Sequence, residues 1–171
     1  MPDWTNNPPD DADRYTATLI RVKPGRPIRG ICASPHLLGC WTHWFGGRTI
    51  PCNAPDCIPC ESQTSRRWHA YLHLWSPASH HSAILEITAL AARELEPYIE
   101  QHHTLRGAEI DVQRSNHRAN STLVIVARPA DLQRFQLPEP LDIIAAMSRM
   151  WEVNINRAKR LTTPDVPAAC T

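Results

Sequence analysis

The sequence predicts a β-rich α+β domain, and three observations carry that prediction. Sixteen prolines stand against six glycines in 171 residues, a balance that favours short elements and irregular connections over long helices. Residues 67–75 alternate, with Trp68, Ala70, Leu72 and Leu74 on one side and Arg67, His69, Tyr71, His73 and Trp75 on the other, which is the period of a strand. A second alternation sets Ala108, Ile110 and Val112 against Glu109, Asp111 and Gln113, and after a polar loop the apolar run 122–127 closes a hairpin.

Residues 1–13 (MPDWTNNPPDDAD) have the composition of a disordered acidic arm. In residues 15–22, Tyr15, Thr16, Thr18, Ile20 and Val22 favour a strand, and Lys23-Pro24-Gly25 ends it with a turn. Residues 27–33 and 37–45 read as extended, the second stretch running into Gly46-Gly47, and residues 82–87 read as a short apolar strand. Thr88 is placed to cap a helix through Leu90, Ala91, Leu95, Tyr98 and Ile99, in which Pro97 forces a kink or a fresh start. Ile144, Met147 and Trp151 mark the buried side of a final helix over 141–151. The expected organisation is one domain over residues 14–155 and a flexible tail over 156–171. No internal repeat is present.

Charge is unevenly spread behind a net value of +1. Residues 1–14 carry four acids and one base, whereas residues 15–81 carry seven bases and two acids, a net +5. A positive field is therefore centred on the half that holds the cysteines. No stretch approaches the ~20 apolar residues that cross a bilayer, and the first residues are polar and acidic, so no membrane association and a cytoplasmic location are expected. In a reducing compartment, clustered cysteines read first as a metal site.

Cys52, Cys57 and Cys60 fall within nine residues, with Pro55 and Pro59 shaping the loop. A structural zinc ion takes four N or S ligands in a tetrahedron, so three thiolates need one more partner. His43 completes the favoured set of His43, Cys52, Cys57 and Cys60. The competing set replaces Cys52 with Cys40, as in a zinc ribbon. In extended chain, residues three apart point to opposite faces, and no turn residue separates Cys40 from His43. A redox role for Cys57-Ile58-Pro59-Cys60 would need a preceding strand and a following helix start, and Cys52 with the loop prolines stands there instead. One structural Zn²⁺ is the cofactor expected.

The polar side of residues 67–75 mixes arginine, histidine, tyrosine and tryptophan, a combination suited to stacking bases and meeting phosphates. Trp41, Trp44 and Arg48 lie on a neighbouring segment, Arg66 beside this strand, and Arg114, His117 and Arg118 in the hairpin loop. The predicted nucleic-acid face is thus Trp41, Trp44, Arg48, Arg66, Arg67, His69, Tyr71, His73, Trp75, Arg114 and Arg118. Paired carboxylates near the histidines, a phosphate-binding glycine loop and a nucleophile motif are all missing from the sequence, which argues against an enzyme or a small-molecule substrate.

Strands, then a helix, then a hairpin is an order that resembles an OB-fold, whose five-stranded barrel carries its helix between the third and fourth strands. The expected architecture is an OB-fold-like five-stranded barrel with a zinc loop inserted at about residues 40–62 and a C-terminal helix. Within such a chain, His43, Cys52 and Cys57-x2-Cys60 resemble the ligand order of the zinc-containing single-stranded DNA-binding proteins of T4-type phages, with a shorter spacing from Cys52 to Cys57. That resemblance implies a zinc-stabilised subdomain beside the barrel and single-stranded DNA in the cleft between them. The function expected is binding of single-stranded nucleic acid, DNA before RNA. The alternative is a zinc-stabilised interaction subunit of a larger complex, with a protein partner.

Overall fold

The computed structural model describes residues 18–151; the acidic arm and the tail lie outside the described residues. Eight strands and four helices follow one another as β1 (Thr18–Ile20), β2 (Ile28–Cys32), β3 (Leu38–Phe45), β4 (Arg48–Pro51), α1 (Ile58–Glu61), β5 (Arg66–Ser76), β6 (His81–Thr88), α2 (Ala89–Arg93), α3 (Glu96–His102), β7 (Ala108–Arg114), β8 (Leu123–Pro129) and α4 (Ile143–Met150). The β-rich α+β class is as expected. The five-stranded barrel is not: the strands form one mixed sheet in the order β1-β6-β5-β2-β7-β8, with β3 on β5 and β4 on β3.

The sheet fails to close because β1 takes the outer edge of β6, pairing in parallel from Thr18↔Ala83 to Ile20↔Leu85, while β8 pairs only with β7. Among the described residues no ladder joins β6 to β8. The turn after β1 is built as the sequence indicates. Pro24 and Gly25 (φ +68°) are its central residues, and the Arg26 N–H donates to the Lys23 carbonyl at 3.1 Å.

β2 and β3 share one edge of β5. Cys32 faces Leu74 and Leu38 faces Tyr71, so five residues on one side lie opposite two on the other. The extra residues bulge at 33–37, where the Ser34 hydroxyl accepts the His73 N–H at 3.2 Å. That break frees β2 to pair with β7 on its other side, from Ile28↔Val112 to Ile31↔Glu109.

The inner core gathers Leu72 and Leu74 of β5, Leu85 and Ile87 of β6, Leu95, Leu105, Ile110 and Val112 with Leu123 and Ile125 of β8. The helix pair packs into it. Thr88 caps α2 by accepting the Ala91 N–H, and a fresh helix starts at Glu96 because Pro97 offers no N–H to a continuing ladder. Gly39 lies under the Trp68 ring so closely that a β-carbon there would enter it.

A second core lies on the opposite face of the sheet, where α4 packs Ile143 and Met147 against Cys40, Tyr71 and Ile84. The buried pair is Ile143 and Met147, one turn apart, and Ile144 is only half-buried. Asp142 caps α4 by accepting the Ala145 N–H at 2.8 Å.

Candidate metal centre and groove

β3, extended as the sequence predicts over 37–45, forms a hairpin with β4, for which the sequence predicts no strand. Its turn, Gly46-Gly47, has φ of +59° and +79°, the two positive values a two-residue type I′ turn requires. His43 pairs across to Ile50 of β4 and Arg66 of β5. One step past β4 the Cys52 N–H donates to the Trp41 carbonyl at 2.8 Å, which holds Cys52 beside β3.

After a cis Ala54-Pro55 bond, Cys57 starts α1 with Pro59 in the first turn, where its missing N–H costs nothing. The Glu61 N–H donates to the Cys57 carbonyl at 3.0 Å, so Cys57 and Cys60 sit on the same side of a single helical turn. Gln63, at φ +55°, stops the helix, and the Thr64 N–H returns to the Pro59 carbonyl at 2.8 Å.

These local rules bring His43 Nε2 to 3.5 Å from Cys57 Sγ and 3.4 Å from Cys60 Sγ, with Cys52 Sγ at 3.6 Å from Cys60 Sγ. All four ligand atoms lie within 4.8 Å of one another. A tetrahedron with Zn–S of ~2.3 Å and Zn–N of ~2.0–2.1 Å has edges of about 3.4–3.8 Å, so the spacing suits a zinc-sized ion. His43 Nδ1 is 3.0 Å from the Thr64 carbonyl, which only accepts; Nδ1 therefore carries the proton, and the Nε2 lone pair faces the thiols. A metal-bound histidine is held in this way.

Cys40 stands apart. It faces the second core, where burial, reinforced by Glu86 and Cys52, pushes its thiol up to about 12. Cys32 is wholly buried in the first core beside Ser34.

Two adjoining cavities of about 520 and 640 Å³ open next to the metal hairpin and share Arg21, Arg67, His69, Glu86 and Asn120. Together they make one groove. It runs from Leu90 and residues 119–123, past the ends of β5 and β6, to Trp44, Thr49 and Thr64. Its first cavity lies where the residues after β1, the end of β6 and the start of β8 meet. Arg21 is held by Glu86 in a two-point ion pair at 2.6 and 2.9 Å, which raises the arginine further above its ordinary value. Arg67 is exposed and has no carboxylate partner among the described residues. His69 Nδ1 lies 2.7 Å from Thr42 Oγ1, whose own proton goes to the Arg67 carbonyl, and burial lowers the imidazole below its ordinary value.

The predicted nucleic-acid residues divide sharply. Arg67, His69 and Trp44 line the groove, as does Arg114, whose guanidinium pins the Val22 and Ser121 carbonyls at 2.9 and 2.6 Å. Trp41 is exposed beneath Arg66, whose guanidinium carbon sits 4.6 Å from the ring centre; Arg48 is exposed on β4 and Arg118 on the loop after β7.

Tyr71, His73 and Trp75 do not belong to an exposed face. They are 2%, 1% and 5% exposed. Tyr71 meets Trp151 edge to face, with centroids 5.6 Å apart, and Trp75 meets Phe135 in the same manner at 5.6 Å. His73 accepts the Leu141 N–H on Nδ1 and so donates from Nε2 to Ser82 Oγ at 2.9 Å. The Tyr71 hydroxyl donates to Glu86 at 3.5 Å and both His73 ring nitrogens have partners, so burial orphans neither of these two groups. Arg21, Glu86 and Asn120 were absent from the sequence-based list. Arg21 was visible only as one base of the central segment.

No family model matches the chain, and neither a curated protein nor a solved structure does.

Proposed function

We propose that the protein binds single-stranded nucleic acid in this groove and that one zinc ion, held by His43, Cys52, Cys57 and Cys60, fixes the hairpin forming one of its ends. A closed set of four protein ligands leaves no position for water, so the metal has a structural role. The observation that carries the reading is the continuity of the groove. Arg67, without a carboxylate partner among the described residues, and His69 line it, and an exposed tryptophan, Trp44 at 63%, stands at its metal end. Arginine supplies salt-sensitive attraction to phosphate, and the ring supplies sequence-tolerant stacking. The path β6-β5-β2-β7-β8, with helices between β6 and β7, supports an OB-like reading of the scaffold, opened where the groove lies.

Titration of labelled single strands and matched duplex at several salt concentrations tests the proposal. Saturable preference for the single strand, weakening as salt rises, is expected. Equal binding to duplex, or binding indifferent to salt, would reject it. Phe45 at the end of β3 and Ile58 on α1 are exposed outside the groove lining, at 38% and 66%, and favour a second reading as an interaction subunit of a larger complex. Zinc-loaded protein that ignores all oligonucleotides yet co-purifies with one defined partner would select that reading.

A further inference from the structure

We propose that Glu86 is a specificity-determining residue of the groove: by cancelling the charge of Arg21 it withholds one phosphate contact, which favours single strands over duplex. This rests on the nucleic-acid reading of the same site. Among the described residues that line the two cavities, Glu86 is the one carboxylate, set beside Arg21, Arg67 and Arg114. A bare carboxylate on a surface that holds a polyanion would repel it. Here both oxygens are taken by Arg21, from Nε at 2.6 Å and from Nη2 at 2.9 Å. Such a fork fixes the plane of the guanidinium as well as its charge partner.

The sheet puts this pair where a strand of nucleic acid would lie. Glu86 of β6 pairs across to Tyr71 of β5, so it shares a face with His69 and Arg67. Arg21 follows β1, whose last residue, Ile20, lies opposite Leu85. Its side chain is 45% exposed and that of Glu86 only 9%, so a ligand meets the guanidinium and not the carboxylate. The other two arginines keep their charge: Arg67 has no carboxylate partner among the described residues, and Arg114 donates to the neutral carbonyls of Val22 and Ser121. The groove therefore combines two phosphate-binding cations with a charge-cancelled planar group on which an unpaired base can stack. Duplex offers no such base and depends on phosphate contacts, so a withheld contact weakens duplex binding in greater proportion.

The test titrates the full-length, zinc-loaded protein with a labelled single strand and matched duplex over a salt series. Glu86→Gln keeps the shape and removes the charge, so Arg21 becomes a third phosphate contact. The slope of log affinity against log salt should steepen by ~0.7 on the single strand and ~0.9 on duplex. Low-salt affinity should rise several-fold, more on duplex, so the preference for the single strand falls. An ion pair that only supports the fold would weaken binding when broken and leave the slope where it was. The double variant, Arg21→Gln with Glu86→Gln, should keep the parent's slope and preference. The charge-matched control Glu96→Gln, exposed on α3 outside the groove lining, should also change neither. An unchanged or flatter slope in Glu86→Gln, or the same steepening in Glu96→Gln, would overturn the proposal. So would a double variant flatter than the parent by ~0.7, which decides the matter even if Glu86→Gln alone fails to fold. Parent protein with no preference for the single strand would reject the groove reading and this assignment together. A parent with that preference, and an unmoved slope in Glu86→Gln, would reject the assignment alone.

Discussion

The metal hairpin and the outer face of β5 both looked functional in the sequence, and they came to opposite ends. In the hairpin, His43, Cys52, Cys57 and Cys60 converge within 4.8 Å. On β5, Tyr71, His73 and Trp75 disappear under α4 and the segment before it. Ligand convergence depends on a short stretch of chain, with a glycine turn, a proline-started helix and one cross-strand pair. The fate of an amphipathic strand face depends on a cover that arrives some sixty residues later. A polar-tipped ring can become core when its polar atoms find partners, as the two nitrogens of His73 do in Leu141 and Ser82.

The contrast can be broken most forcefully at the metal. Cys57→Ser should cost at least ~3 kcal/mol of stability, whereas Cys40→Ser, which alters only the second core, should cost ~1–2 kcal/mol. Chemical denaturation of zinc-loaded protein separates the two. Comparable losses would erase the distinction between ligand and core cysteine.

A second pair of variants sharpens the difference between buried and exposed rings. Tyr71→Ala should lower stability by ~3 kcal/mol and leave the oligonucleotide affinity of the folded fraction nearly unchanged. Trp44→Ala should barely alter stability but weaken binding by ~1–3 kcal/mol. Calorimetry with fluorescence titration reads both quantities, and a strong binding defect in Tyr71→Ala would return that ring to the binding face. A smaller effect is expected for Arg67→Ala, which should flatten the dependence of log affinity on log salt by ~0.7, the loss of one phosphate contact on a single strand.

The smallest effect concerns pH. Burial, aided by Arg106, lowers the His73 imidazole from 6.5 to about 4. Between those values the unfolded chain takes up a proton that the folded chain refuses. The contribution of neutral His73 is thus complete above about pH 6.5 and is lost as pH falls towards about 4. In His73→Gln the urea midpoint should change less between about pH 7 and about pH 5 than it does in the parent. An identical change would show that His73 does not govern it.

Much of the strand and helix order was legible because alternation, turns and caps are local signals. The break at Pro97 and the cap at Thr88 follow from single residues. β4 was not legible, since four residues, Arg48–Pro51, carry no periodicity of their own and are strand only by pairing with β3. Barrel closure was misjudged because nothing in Thr18–Ile20 shows that it pairs in parallel with β6. The convergence of His43, Cys52, Cys57 and Cys60 was legible because few side chains bind zinc and their spacing limits the choice. The groove was only partly legible. Its walls come from Arg21, the end of β5 and residues 119–123, segments that only the folded sheet brings together.

Metal content tests the central assignment most directly. Protein purified without added zinc should contain about one equivalent per chain, the Cys40→Ser variant should retain it, and Cys57→Ser should lose it. Metal-free parent protein that is fully folded, or loss of metal on changing Cys40, would contradict the account.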